Sequence, residues 1–355
     1  MTGNPIKKWV ININQSFNII LCLLVWSQLS YPMGKSNTQD VAIVDTLLSG
    51  RVFPSPKATP LVMAANDGNQ TSKQRNPHKN RIYYISGFDG LALAGVYAAH
   101  IKPWWSGQKT GMRFKFDFYN NYWLEMDKFG HFYANIQVAK LSAALFQFAG
   151  VSRRRALWIG FGNTTLLYTA FELTDAGFQD WGFSVPDYIA NLLGASYPLA
   201  QEYLPVLRHF NFKISYFPSK YFRNEKYRKS PGFIRYEPYH YVAGDYDGMI
   251  FWLSADVDWL LPNAVKPFWP DWLNIAIGYG AANLPQANRE LKERQLYIAL
   301  DYNLTSGTTE ASPRAGLSGK GALLRKLKSV LNAIHLPAPA IRITSDGAVA
   351  YFLQF

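Results

Sequence analysis

The chain has 355 residues, enough for two domains or one large one, and a formal net charge of +12. It is 48% hydrophobic and 16% aromatic but only 17% charged, below the ~25% of an average soluble protein, which favours a membrane-associated or envelope protein over a cytosolic enzyme. The basic balance suits an anionic partner. The sequence carries no zinc finger, helix-turn-helix or aromatic ribonucleoprotein motif, which argues against nucleic acid and for membrane lipids or no specific anionic partner. Its single cysteine, Cys22, excludes an internal disulfide and a thiolate metal site.

Residues 1–40 read as a secretory signal or an N-terminal anchor. Lys7 and Lys8 precede an apolar run from Phe17 to Trp26, too short to span ~30 Å of hydrocarbon comfortably but suited to a signal. The large residues Ile19, Ile20 and Leu21 directly before Cys22 do not make a lipidation site. Residues 41–81, broken by Pro54, Pro56, Pro60 and Pro77, read as a solvated linker.

Residues 82–209 are expected to form a helical domain. The first helix covers Ile82 to Ile101, apolar on nearly every face, which implies deep burial or lipid contact. Pro103 ends it, and Trp104 and Trp105 form a pair of the kind found at a membrane–water boundary. Arg113 to Asn121 alternates Phe114, Phe116 and Phe118 with polar residues and predicts an extended segment. Three more helices follow. They run from His131 to Ala149 with Gly150 as a C-terminal cap, from Ala156 to Leu173 after a basic turn at Ser152–Arg155, and from Pro186 to Leu204. Each is near the lower limit for crossing a bilayer and equally suits the core of a bundle.

Residues 210–355 change character. Phe212–Phe217, Met249–Ala255, Leu273–Tyr279, Gln295–Tyr302 and Ala348–Phe355 read as strands, with Pro337 to Pro339 turning the chain into the last of them. Gly321 to Ile334 reads as a basic amphipathic helix. The fold class is therefore α+β: an apolar helical bundle followed by a small, strand-rich, mainly antiparallel and basic C-terminal domain. Phe355 after an apolar strand resembles the end of an outer-membrane barrel strand. However, about five or six strands are fewer than the ~8 of the smallest such barrel, so a sheet packed on the helices or lying on a membrane is expected.

The chemistry concentrates between Trp123 and Gly194. Asp127 and His131 stand four apart, Glu172 and Asp175 three apart, and Asp187 and Asn191 four apart, so each pair shares a helix face. Burying unpaired charge in apolar sequence is costly. Glu172 and Asp175 also lie at a helix C-terminus, the unfavourable end for carboxylates, so they need a partner such as His131 or Lys128. The candidates are Asp127, His131, Glu172 and Asp175, with Lys128, Asp187 and Asn191 in support. The set suits three roles. It offers nitrogen and carboxylate ligands for a divalent metal, acid–base chemistry at His131, or a structural network fixing the register of apolar helices. No cofactor is implied beyond the metal of the first role. Ser184, with Pro186 and Asp187 behind it, reads as a helix N-cap and not as a nucleophile, and Gly194 reads as a point of close helix packing. Nothing matches a nucleophile elbow, a phosphate loop or a dinucleotide fingerprint.

A second feature is the basic-aromatic stretch from Arg208 to Tyr241, with Lys213, Lys220, Arg223, Lys226, Arg228, Lys229 and Arg235 among tyrosines and phenylalanines. It suits a lipid surface, or an ordinary sheet with a basic outer face.

The order Asp127-Lys128-x-x-His131, Glu172-x-x-Asp175 and Phe183-Ser184-x-x-Asp187-x-x-x-Asn191-x-x-Gly194 resembles the YfiM-like family of predicted periplasmic lipoproteins, a domain of unknown function. The strand-rich tail, with Asp245 to Gly248, Trp252 to Ser254, Trp272 to Gly280 and Pro337 to Pro339, resembles the long form found in Bacteroidetes. A weaker similarity runs to VanZ-like membrane proteins. The resemblance covers Ile82 to Phe355 and implies a cell-envelope location without an established activity. The chain departs from the lipoprotein pattern by lacking small residues before Cys22. The expected function is a membrane-associated envelope protein with a structural or binding role. The alternative is a membrane-associated hydrolase, with or without a metal, using the Asp/His/Glu/Asp cluster.

Overall fold

A computed structural model describes residues 79–354, apart from 106, 120, 121, 223, 225–241, 287, 306–327 and 329. The signal or anchor, nearly all of the linker, much of the Arg208–Tyr241 stretch and most of the helix expected over Gly321–Ile334 lie outside the described residues.

Four helices form the N-terminal part: α1 (Lys79–Trp104), α2 (Met126–Phe148), α3 (Arg153–Asp175) and α4 (Val185–Tyr203). Helix α2 is central and packs against both α3 and α4. Glycine permits the close approach. A Cβ at Gly194 of α4 would lie 2.2 Å from the Phe132 carbonyl oxygen, and one at Gly160 of α3 would lie 2.4 Å from that of Ala139. Helix α2 ends as its sequence predicts: Gly150 takes φ +92°, its N–H donates to the Gln147 carbonyl, and the Val151 N–H donates to that of Phe146, the paired closure of a left-handed cap.

Two expectations for the first helix change. Its burial is one-sided, with Tyr83, Tyr84 and Leu91 exposed. What faces inward includes Asp89, whose Oδ2 accepts from Ser142 Oγ of α2 at 2.9 Å and Asn163 Nδ2 of α3 at 2.6 Å. Trp105 is not at a surface boundary but buried. Among the described residues, no helix is long and apolar enough to cross a membrane. Buried Asn135, Thr164, Glu172 and Asn191 spend polar groups in the bundle's interior and lower the hydropathy of its helices.

The extended segment expected over Arg113–Asn121 shrinks to β1 (Phe114–Lys115), which pairs in parallel with β2 (Phe183–Ser184). The C-terminal part is one antiparallel sheet of six strands: β3 (Phe210–Tyr216), β4 (Met249–Ala255), β5 (Leu273–Ala282), β6 (Glu293–Tyr302), β7 (Ala338–Thr344) and β8 (Gly347–Gln354), in sequential order. The sheet is curled. Ile334 bridges Ile214 of β3 in parallel, yet β7 begins only four residues later at Ala338. Four residues reach at most ~14 Å, whereas the strands from β3 to β7 would spread over ~19 Å if flat. The crossing segment covers the concave face, where His335 stacks on Trp252 with centroids 3.9 Å apart. Lys213 belongs to this interior, not to a basic outer face: it is 1% exposed and its Nζ lies 2.7 Å from Asp301 Oδ2. The convex face of β3, β4 and β5 packs on α2, with Phe132 against Phe212 at 4.6 Å and Phe129 against Tyr279 at 4.9 Å.

Candidate functional site

The polar residues converge at one end of the bundle, where α2 and α4 begin and α3 ends. The sheet sets where α2 starts. Leu124 (φ 49°) and Glu125 (φ 62°) take left-handed backbone just before it, a conformation costing about 1–3 kcal/mol per residue. Arg294 of β6 forks onto the Glu125 carboxylate at 3.0–3.1 Å. Tyr279 of β5 donates its hydroxyl to the Leu124 carbonyl at 2.6 Å. These bonds hold the strained entry and so place Asp127 and Lys128.

Lys128 Nζ lies 3.4 Å from both Asp127 Oδ2 and Asp187 Oδ1. Burial pulls the Lys128 ammonium toward deprotonation, but the carboxylates of Asp127, Asp187 and Asp117 outweigh it and hold its pKa above the ordinary value. Asp117, Asp127 and Asp187 each offer an oxygen, all within 4.8 Å of one another. They are the group with metal-ligand spacing among the described residues, and the Lys128 ammonium already sits against two of its members. Burial, and then the neighbouring Asp187, push the Asp127 carboxyl up to about 6.

His131 forms the second half. Its Nδ1 is 2.9 Å from Asn191 Oδ1 and 3.9 Å from Glu172 Oε1. An amide oxygen only accepts, so this contact assigns the proton to Nδ1. Asn191 Oδ1 also accepts from Asn135 Nδ2 at 2.7 Å, and Asn191 Nδ2 donates to Glu172 Oε1 at 3.2 Å. The Ser184 N–H donates to Glu172 Oε2 at 3.2 Å. Burial pushes the Glu172 carboxyl up to about 7, against the pull of His131. For His131 burial acts downward, but Asp187 and Glu172 outweigh it and raise its pKa. The imidazole is the more accessible partner, with 26% of its side chain exposed against 2% for Glu172.

Asp175 faces another neighbour. Its Oδ1 accepts from Trp105 Nε1 at 2.5 Å, and burial raises its carboxyl to about 6, partly offset by that bond. Ser184 caps α4 as its spacing predicts, accepting from the Asp187 N–H at 3.3 Å. Its hydroxyl also donates to Asp117 Oδ1 at 2.8 Å.

Of the sequence candidates, Asp127, Lys128 and Asp187 thus meet in one ion cluster, and His131, Glu172 and Asn191 in a hydrogen-bonded row beside it. Asp175 is bonded to Trp105. Two members were not anticipated. Asn135 extends the Asp127–His131 row by a further step of four, a signal present in the spacing. Asp117 arrives through the two-residue pairing of β1 with β2, which no periodicity announces. Chemically, the site holds three carboxyls with pKa values near neutrality and a histidine. Each is tied to a neighbour.

Residues 115–201 match a family described as predicted periplasmic lipoprotein (DUF2279). The matched segment contains the whole ion cluster and the His131 row, and the six-stranded sheet lies outside it. That description agrees with a location in the cell envelope. No curated protein and no solved structure matches the chain.

Proposed function

We propose that the chain is a membrane-associated protein of the cell envelope with a structural or binding role, in which the polar cluster locks three helices together. On this reading membrane lipids are the partner, and the N-terminal segment is a secretory signal or anchor. The strand-rich tail aligns the chain with the long form of the family found in Bacteroidetes. The observation that carries the structural role is the Lys128 ammonium within 3.4 Å of both Asp127 and Asp187. A divalent ion at Asp117, Asp127 and Asp187 would have to displace this resident cation. Removing one partner of a buried pair strands the other charge and costs about 3–5 kcal/mol, which is the energetics of a lock.

The test uses the full chain. His131→Ala should lower the melting temperature while an envelope phenotype of the deletion strain is still rescued by the variant at permissive temperature. The protein should fractionate with the envelope. Recovery in the cytosol refutes the location. A variant that melts like the parent but loses all rescue, in a protein that purifies with stoichiometric divalent metal, overturns the structural role in favour of a hydrolase built on Asp127, His131, Glu172 and Asp175.

A further inference from the structure

Cross-strand partners share a face of a sheet, so the register sorts every strand residue onto one side. The concave side carries Lys213, Ser254, Asn274 and Asp301, all buried. Asp301 Oδ2 accepts from Ser254 Oγ at 2.5 Å, and Ser254 Oγ accepts from Asn274 Nδ2 at 2.9 Å. The convex side of β5, β6 and β7 carries the rungs Ile277–Ile298–Ile341 and Tyr279–Leu296–Ile343. Ile277 is 58% exposed, Leu296 50% and Ile298 49%. No charged residue stands on either rung.

A one-sided antiparallel sheet in water buries its apolar face and turns its polar face outward. The exposed convex stripe of this sheet departs from that pattern, while its buried concave side combines the polar residues with the apolar Ile250, Trp252, Ala276, Tyr297, Ala299 and Ala340. The charges of Lys213 and Asp301 point in and the aliphatic side chains of both rungs point out, as in strands whose surroundings are hydrocarbon. The strand lengths agree: β5 and β6 have 10 residues each, within the ~9–11 of lipid-facing strands. The aliphatic stripe also ends in groups suited to a layer's edges. At one end Trp272 stacks on Tyr302 at 6.0 Å, and interfaces favour such rings. At the other end Arg294 is paired with Glu125. The bundle covers only the β3–β4 side of this face and the adjoining Tyr279, so the stripe continues its apolar surface outward toward the β8 edge.

We propose that the convex face of β5–β7 lies in the hydrocarbon of a lipid layer, with acyl chains packed on Ile277, Ile298 and Ile341. The inference rests on the membrane-associated reading above and names the contact surface. That surface is not the basic-aromatic stretch, so its binding is insensitive to salt and to headgroup charge.

The experiment places an environment-sensitive fluorophore on Ile298→Cys in a full-length Cys22→Ser background. A control label goes on Glu290→Cys, in the exposed β5–β6 connection. The probes are vesicles of phosphatidylcholine alone and of phosphatidylcholine with phosphatidylglycerol, both at high salt. The Ile298 label should shift to the blue on both vesicles, and the Glu290 label on neither. The double variant Ile277→Glu/Ile298→Glu should lose flotation with vesicles by more than about tenfold, because each aliphatic side chain carries roughly that factor on full transfer. Both positions point away from the concave core, so the variant should stay folded, its melting temperature lowered only by the repulsion of two carboxylates facing across β5 and β6. An unshifted Ile298 label on protein that does float overturns this surface while leaving membrane association intact. Failure of the parent to float at all defeats both readings. A blue emission before vesicles are added, concentration-dependent for a second copy or concentration-independent for another segment of the chain, also overturns the proposal.

Discussion

Glu172→Gln separates the electrostatics of the bundle from its hydrogen bonds. The Glu172 carboxyl has an ordinary pKa of 4.5 and is pushed by burial to about 7 in the fold. Between those values the native protein holds a proton that the unfolded chain has lost. Unfolding then releases a proton, so stability falls as pH rises through this window and levels off above pH 7. At ~1.36 kcal/mol for each pKa unit, the fall attributable to this group is about 3 kcal/mol. Glutamine cannot titrate, so the variant lacks that component. It keeps one carbonyl oxygen for two donors, the Asn191 Nδ2 and the Ser184 N–H, and turns an NH2 toward the other, at a cost of about 1–3 kcal/mol. Glu172→Gln should therefore be the less stable protein at about pH 5 and equal or exceed the parent at about pH 8. Urea unfolding followed by circular dichroism at both pH values reads the crossing. Parallel stability curves, with the same difference between variant and parent at each pH, would refute the raised carboxyl.

Three further variants probe the same end of the bundle. Lys128→Met leaves the carboxylates of Asp127 and Asp187 facing each other and should cost about 3–5 kcal/mol at neutral pH. The cost should shrink as pH falls toward about 6, because without Lys128 the Asp127 carboxyl takes its proton above that value, and millimolar Mn2+ should raise the melting temperature of this variant but not of the parent, because the three carboxylates lie within 4.8 Å of one another. Gly194→Ala would put a Cβ 2.2 Å from the Phe132 carbonyl oxygen; α4 must move off α2, and calorimetry should show a loss of at least ~1–3 kcal/mol at any pH. Trp105→Phe removes the donor to Asp175 Oδ1, so the carboxyl's titration should move above its present value of about 6. The melting temperature should then fall more at alkaline than at acidic pH, since the lost bond stabilised the ionised form.

How far the sequence could be read depends on what kind of order each feature rests on. Helices α2, α3 and α4 follow from local period and caps, and Gly150 and Ser184 take the capping roles that their neighbours assign. The site was legible for the same reason: charges inside apolar helices are conspicuous, and a spacing of four puts Asp127, His131 and then Asn135 on one face. What stayed hidden is non-local. Asp117 enters only because Phe114 pairs with Phe183, a two-residue contact between distant segments. Trp105 was misread because a tryptophan at the end of an apolar helix has the same composition whether its indole sits at a lipid boundary or donates to a buried acid such as Asp175. The sheet shows a deeper limit. Alternation tells which residues of one strand share a face, and only the register sets Lys213 beside Trp252 and Asp301 beside Asn274. It does not tell which face is inside. That choice is made by the curl of the sheet and by the few residues carrying His335 across its concave side. Taking the polar face as the outer one is the ordinary assumption for a sheet in water. Here it sends Lys213 to the surface and hides the fact that Ile277 and Ile298 are the residues left facing out.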